Sequence, residues 1–187
     1  MAYPESRSAR GTFAQSARKG SNRSSGLFRQ AFQCLALAAL ALLSYLVVSH
    51  FFVQSVRVVG RSMLPTLRDS QQYLLNRWVY YVRAPQRSDV VVIRDPADNG
   101  YSVKRIIGVA GDSIYLKNGD VFVNGRRLTE PYLEPSMPTY AIGKAREQLV
   151  ICGKDQFFVL GDNRMNSADS RTYGPVSRKS ILGVIVR

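Results

Sequence analysis

Two hydropathy regimes divide the chain. From Gln30 to Val56 no residue carries a formal charge apart from the titratable His50. The centre of that run is Cys34–Val48, CLALAALALLSYLVV, extended by Phe51, Phe52 and Val53. As an α-helix rising ~1.5 Å per residue, it reaches ~40 Å, against a hydrocarbon core of ~30 Å. Beyond Val56 the apolar positions shift to period two and become β-branched. That pattern predicts strands over Gln72–Tyr81, Asp89–Arg94, Ser102–Gly108, Ser113–Lys117, Val121–Val123, Phe157–Leu160 and Ile181–Val186. Asn118-Gly119 and Asn124-Gly125 are hairpin turn signals. Pro131, Pro135 and Pro138 mark an irregular connection. No long helical periodicity follows the apolar run. The expected fold class is mainly β: a partly open antiparallel barrel or folded sheet after one N-terminal transmembrane helix.

The layout this implies is a basic tail at 1–29, a transmembrane signal anchor at 30–54 and one folded domain at 55–187. The polar stretch ahead of the apolar run is long for a cleaved signal peptide, and the run outlasts an ordinary h-region, which favours an uncleaved anchor. The Ser- and Arg-rich tail also has the composition of a transit peptide; otherwise it reads as a disordered cytoplasmic segment. Arg18, Lys19, Arg23 and Arg29 outnumber Arg57, Arg61 and Arg68 on the other flank. The bias places the N-terminus inside and the domain outside.

Charge and composition remove several chemistries. The chain of 187 residues has a net charge of +13. Residues 1–30 supply +5 of it, from Arg7, Arg10, Arg18, Lys19, Arg23 and Arg29 against Glu5. The remainder is spread without a dense block, so an anionic membrane surface suits it better than nucleic acid. The single His and two Cys exclude His-based triads from the domain and leave too few ligands for a His/Cys zinc site. No metal or cofactor is expected. Cys34 and Cys152 fall on opposite sides of the anchor boundary, so no disulfide is expected between them.

Three segments carry the remaining chemistry. The first is Gly60–Leu67, GRSMLPTL, with Ser62 in a turn that Pro65 stiffens and Gly60 opens to close backbone approach. The second is Lys104–Asp112, KRIIGVAGD, in which alternation sends Lys104 and Arg105 to opposite faces, so one should point inwards. The third is Gly161–Pro175, GDNRMNSADSRTYGP, where turn formers and opposite charges crowd together.

A serine hydroxyl needs an adjacent base to act as a nucleophile. With no His in the domain, a neutral Lys is the base that remains. About 0.04% of an unperturbed lysine is neutral at pH 7, and lowering its pKa to ~8 takes roughly 3 kcal/mol of differential burial. Taken alone, Lys104 also reads as a snorkelling residue at a sheet edge and Ser62 as a polar turn residue. Asp162 and Asp169 read as structural partners of Arg164 and Arg171, which hold them ionised. Ser16–Lys19 matches an S-x-x-K pattern, but it lies in the tail with no K-T-G after it.

Together the three segments resemble the bacterial type I signal peptidases, membrane-anchored serine endopeptidases with a Ser/Lys dyad. The resemblance runs from Val56 to the C-terminus. It rests on S-M-x-P-T-L at Ser62–Leu67, K-R-x-x-G-x-x-G-D at Lys104–Asp112, and G-D-N-R…S-x-D-S-R…G at Gly161–Gly174. It implies Ser62 as nucleophile, Lys104 as general base and Ser167 as the hydroxyl that orients the lysine. Asp169 and Arg171 would brace that loop. The Ser62 N–H and a donor at Gly60 would form the oxyanion site, although some relatives carry a Ser hydroxyl where this chain has Gly60. Met165 stands where Asp is common, and Arg87-Ser88-Asp89 replaces R/K-G-D, a change expected to be tolerated.

The implied substrate is the signal peptide of a secreted pre-protein, docked as a strand and cut after small residues in an A-x-A pattern. Val58, Val59, Met63, Leu67 and Val103 are placed around the first pocket. The implied setting is the bacterial cytoplasmic membrane, with the lipid bilayer as partner, no nucleic acid and an open oligomeric state. An organellar or pilin-processing Ser/Lys peptidase, or a non-enzymatic protein binding anionic surfaces, are the alternatives.

Overall fold

The structure, a computed structural model, describes residues 21–52, 54–134, 137–143 and 146–186. Most of the basic tail, with Ser16 and Lys19, lies outside the described residues, as do Val53 and Pro135. The chain forms two compact units, one ending at Ser49 and the other starting at His50.

The first unit holds all but the last residues of the helix α1, Ser21–Phe52. Its Ala- and Leu-rich composition favours a helix, and the apolar residues run all round it rather than along one stripe. Leu35, Leu40 and Leu43 stand exposed, and Gly26–Val47 is long and apolar enough to cross a membrane. The helix begins upstream of Gln30, where the charge-free run starts.

The second unit is mainly β, as expected. Its strands are β1 (Gln54–Arg57), β2 (Gln72–Asn76), β3 (Val90–Arg94), β4 (Tyr101–Gly108), β5 (Ser113–Lys117), β6 (Asp120–Val123), β7 (Arg126–Arg127), β8 (Glu147–Ile151), β9 (Gln156–Leu160), β10 (Val176–Ser177) and β11 (Ile181–Val186). Two short helices join them, α2 (Val79–Val82) and α3 (Ser170–Tyr173). A seven-stranded antiparallel sheet has the order β1-β2-β11-β3-β4-β9-β10, and a four-stranded sheet the order β7-β6-β5-β8. Both Asn-Gly pairs make the expected hairpin turns, with Asn118 and Gly119 at φ 53° and 85° and Asn124 and Gly125 at 52° and 76°.

The predicted strand Gln72–Tyr81 is a strand only as far as Asn76. The Asn76 side-chain carbonyl accepts the N–H groups of Trp78 and Val79, both at 3.0 Å, and turns the chain into α2. Strands β1 and β8 escaped the pattern because Gln54–Arg57 and Glu147–Ile151 are edge strands with exposed positions.

Alternation along β3 and β4 divides the core of the larger sheet. Val91, Ile93 and Ile106 pack with Val159, Val176 and Ile181 on one face. Val92 packs with Val58, Met63, Leu67, Leu75 and Ile185 on the other. Ile107, Phe158 and Leu160 reach beneath the smaller sheet to Ile114, Leu116 and Val121. Strand β4 is thus buried along both faces from Lys104 onward, which is what gives its polar residues an unusual setting.

Candidate active site

Lys104 lies near the middle of β4, opposite Val91 of β3, and is 3% exposed. Among the described residues its amine has no ion pair and no hydrogen-bond partner within reach. Burial pulls its pKa below the usual lysine value, opposed by the negative charges of Asp95, Asp169 and Asp98. The neighbouring Arg105 is buried too, on the opposite face. The expectation that only one of the two points inwards is therefore corrected. Arg105 escapes the usual penalty because Asp162 accepts it in a two-point fork, Nε to Oδ1 at 2.9 Å and Nη2 to Oδ2 at 2.6 Å. Its guanidinium also donates to the Ser88 carbonyl at 3.0 Å and lies 3.8 Å from the centre of the Tyr132 ring.

The Arg105 fork sets the position of the loop after β9. Leu160 pairs with Arg105 across the sheet, and Gly161 and Asp162 follow it directly. The Gly161 N–H donates to Asp169 Oδ2 at 3.1 Å. A Cβ on Gly161 would collide with the Ser167 side chain and would sit 2.7 Å from the Ser62 carbonyl oxygen. Glycine there allows Ser62 and Ser167 to approach from either side. Ser62 is held by its backbone: its carbonyl accepts the Asn163 N–H at 2.9 Å, and the Asn163 side chain donates to the Arg61 carbonyl at 3.1 Å. The next residue, Met63, is buried in the core, which roots the turn.

The Ser167 hydroxyl is buried without a hydrogen-bond partner. Leaving such a group unpaired costs about 1–3 kcal/mol, so it is a position that demands a function. Asp169 caps α3 and is gripped by Arg171, Nε to Oδ1 and Nη2 to Oδ2, both at 2.8 Å. Arg171 donates onward to the Arg164 carbonyl at 2.7 Å. Arg164 does not pair with Asp162 as the sequence suggested; it forks onto Glu130, with contacts of 3.0 and 2.5 Å. Asp162 is taken by Arg105 instead, because β4 and β9 are adjacent in the sheet.

Comparison with known proteins decides the family. The family described as signal peptidase, peptidase S26, matches residues 31–187. The chain belongs to the signal peptidase family. It is a serine endopeptidase, a hydrolase of signal-peptide processing. It is 37% identical over 154 residues to signal peptidase I P of Bacillus subtilis subsp. natto, covering 78% of this chain and 81% of that protein. It is 34% identical over 155 residues to signal peptidase I T of Bacillus subtilis (strain 168), covering 77% of each. A crystal structure of a signal peptidase I from Enterococcus faecalis V583 aligns at 28% identity with a TM-score of 0.47, over 56% of this chain and 98% of that one.

In this signal peptidase the residues placed around the first pocket separate. Val58, Met63 and Leu67 belong to the buried core and Val103 packs against it, while Val59 is exposed. Gly60 sits at φ 112°, where a side chain is strained, and its N–H donates to Asp69 Oδ1 at 2.8 Å. Met165 is exposed. Sequence reasoning missed the hydroxyls of Ser102 and Tyr173, which are buried without partners. Ser102 shares the Lys104 face of β4, and Tyr173 packs on the same side of the sheet. The available signal was the two-residue spacing from Ser102 to Lys104.

Proposed function

We propose that this chain is a membrane-bound endopeptidase that removes N-terminal signal peptides from exported pre-proteins by Ser/Lys chemistry. Ser62 attacks the scissile carbonyl carbon, and its proton passes to the neutral Lys104 amine. The protonated amine then donates to the leaving nitrogen, and water hydrolyses the acyl-Ser62 ester with Lys104 again as base. The observation that carries this reading is Lys104 itself, a buried amine with no counter-ion in contact and a lowered pKa. A lysine held this deep without a counter-ion is uncommon in a purely structural role.

Ser167 orients the amine, and Asp169 with Arg171 braces its loop. The Ser62 N–H supplies one oxyanion donor. The Gly60 N–H becomes a second only if it leaves Asp69. An extended substrate pairs with strand edges beside Ser62 and Lys104, with small residues preferred at the cleavage site. The exposed apolar helix α1 anchors the chain, with residues 55–187 as the peptidase domain on the extracytoplasmic side of a bacterial cytoplasmic membrane.

The test is cleavage in detergent of a pre-protein carrying an A-x-A site. Ser62→Ala and Lys104→Ala should each abolish it while the thermal transition remains cooperative. Normal turnover in either variant overturns the dyad.

A further inference from the structure

The Lys104 face of β4 carries polar groups that the dyad leaves unused. Register sets Lys104 opposite Val91 and Ser102 opposite Ile93, so these four side chains share one face of the sheet. Just past β3, Asp95 extends the ladder, its N–H donating to the Gly100 carbonyl at 2.8 Å. Alternation returns it to the face of Val91 and Ile93, and it is 8% exposed. Tyr173, the last residue of α3, packs against the cluster formed by Val91, Ile93 and Ile106. The hydroxyls of Ser102 and Tyr173 are both buried there without a partner among the described residues. Leaving either one unpaired is costly, and two of them on the face of one unpaired amine point to a shared purpose.

Two carboxylates relate the tyrosine to the lysine. Burial lowers the Lys104 pKa and raises that of Tyr173; Asp95 and Asp169 oppose the first shift and reinforce the second. Amine and hydroxyl therefore lie within electrostatic reach of the same pair of charges. Asp98 is the remaining acid that acts on the amine. Arg105 lies on the opposite face, and Val159 of β9 and Ile181 of β11, which pack on this side, are apolar.

A neutral amine has two N–H groups and one lone pair. For the lone pair to face Ser62, both N–H groups must be held elsewhere. Ser167 takes one of them in the reading above. No hydroxyl of the Lys104 face bonds the amine directly, but residues two apart on a strand stand roughly 7 Å from each other, a span that one water bridges. Ser102, Tyr173 and the amine supply the two to four polar partners that an ordered buried water takes.

We infer that Tyr173 is a positioning residue for the Lys104 base: its hydroxyl and that of Ser102 hold a bridging water that accepts the second amine N–H, with Asp95 at the outer end of the same polar line. The inference rests on the Ser/Lys reading above. It gives the orphan hydroxyls a task, and it makes Asp95 a charge that sets the pH at which the base becomes neutral.

The test uses the full-length protein in detergent and a peptide carrying an A-x-A site, with kcat and KM measured across pH. Tyr173→Phe should lower kcat on the alkaline plateau about tenfold, the worth of one hydrogen bond to the base, with KM unchanged. Ser102→Ala should act in the same direction. Asp95→Asn keeps the oxygen that accepts the Ala97 N–H at 3.0 Å and removes only the charge. Its acid limb should move to lower pH, because less negative charge favours the neutral amine. A residue that merely filled space would leave that limb where it is.

Wild-type kcat in Tyr173→Phe, with Lys104→Ala inactive, overturns the inference and leaves the dyad standing. Full turnover in Lys104→Ala overturns the dyad and the inference with it. An acid limb that stays put or moves to higher pH in Asp95→Asn overturns the polar line. A kcat loss in Tyr173→Phe and Ser102→Ala that only follows a lowered Tm means a packing role, which also overturns it.

Discussion

The backbone carbonyl of Ser62 accepts the N–H of Asn163 at 2.9 Å, joining segments from opposite ends of the folded domain. A second bond, from the Asn163 side chain to the Arg61 carbonyl at 3.1 Å, makes the contact a two-point clamp. The turn that carries the candidate nucleophile therefore has its position set by the loop that carries Ser167.

Gly161→Ala tests that clamp. A methyl group there meets the Ser167 side chain and, at 2.7 Å, the Ser62 carbonyl. Backbone cannot yield as a flexible side chain does, so the loop shifts. We expect kcat to fall by at least 100-fold, since small misplacements at a reacting centre cost about that much. KM should change little. Steady-state kinetics on a peptide substrate give the split, and an unchanged kcat would show that the loop does not set the Ser62 position.

With Lys104 as the proposed base, activity and stability should both follow its titration. Its folded pKa is lowered by burial, so between that value and the unfolded one the unfolded chain binds more protons. Stability should rise with pH through that window, which lies below the ordinary lysine pKa of ~10.4. Activity should rise over the same interval as the amine becomes neutral. Lys104→Met should abolish activity, flatten the alkaline rise in stability and raise Tm at neutral pH. The expected gain is about 3 °C for each kcal/mol of relieved desolvation. Thermal melts at several pH values check the sign, and a Tm that falls at neutral pH would contradict it.

The buried pair Arg105–Asp162 should behave asymmetrically. Asp162→Asn leaves a guanidinium that is 7% exposed without its counter-charge. The expected loss is about 3–5 kcal/mol in urea unfolding. Arg105→Met combined with Asp162→Leu should lose less than either single change, because no isolated charge is left inside.

Ser88 was expected to be a harmless replacement of glycine. It holds φ 74°, a left-handed conformation, while its N–H donates to the Ile106 carbonyl at 2.8 Å and its carbonyl accepts Arg105. Those bonds prevent the backbone from relaxing. Ser88→Gly should therefore raise stability by about 1 kcal/mol with activity unchanged. A lower denaturation midpoint would mean that the serine makes a compensating contact.

The long apolar helix, the mainly β class, most strands and the three chemical segments were all legible in the chain. Each depends on local information: uninterrupted apolarity, period-two alternation, Asn-Gly turns, and residue types whose chemistry excludes alternatives. The partners of the charges were not legible. Asp162 has Arg164 as its neighbour in the chain, yet it pairs with Arg105, and Arg164 reaches Glu130. Proximity in sequence suggested the wrong pair because strand adjacency, β4 beside β9, brings a distant arginine closer than a local one.

The same reason explains the pocket residues and the strained serine. Val58, Met63 and Leu67 are apolar by residue type, but whether they meet substrate or pack against Leu75 of β2 and Ile185 of β11 depends on how the sheet folds. Burial of Lys104 belongs to this second class as well. Its residue type came from the chain, whereas its burial comes from its place inside the folded sheet, on β4 opposite Val91 of β3.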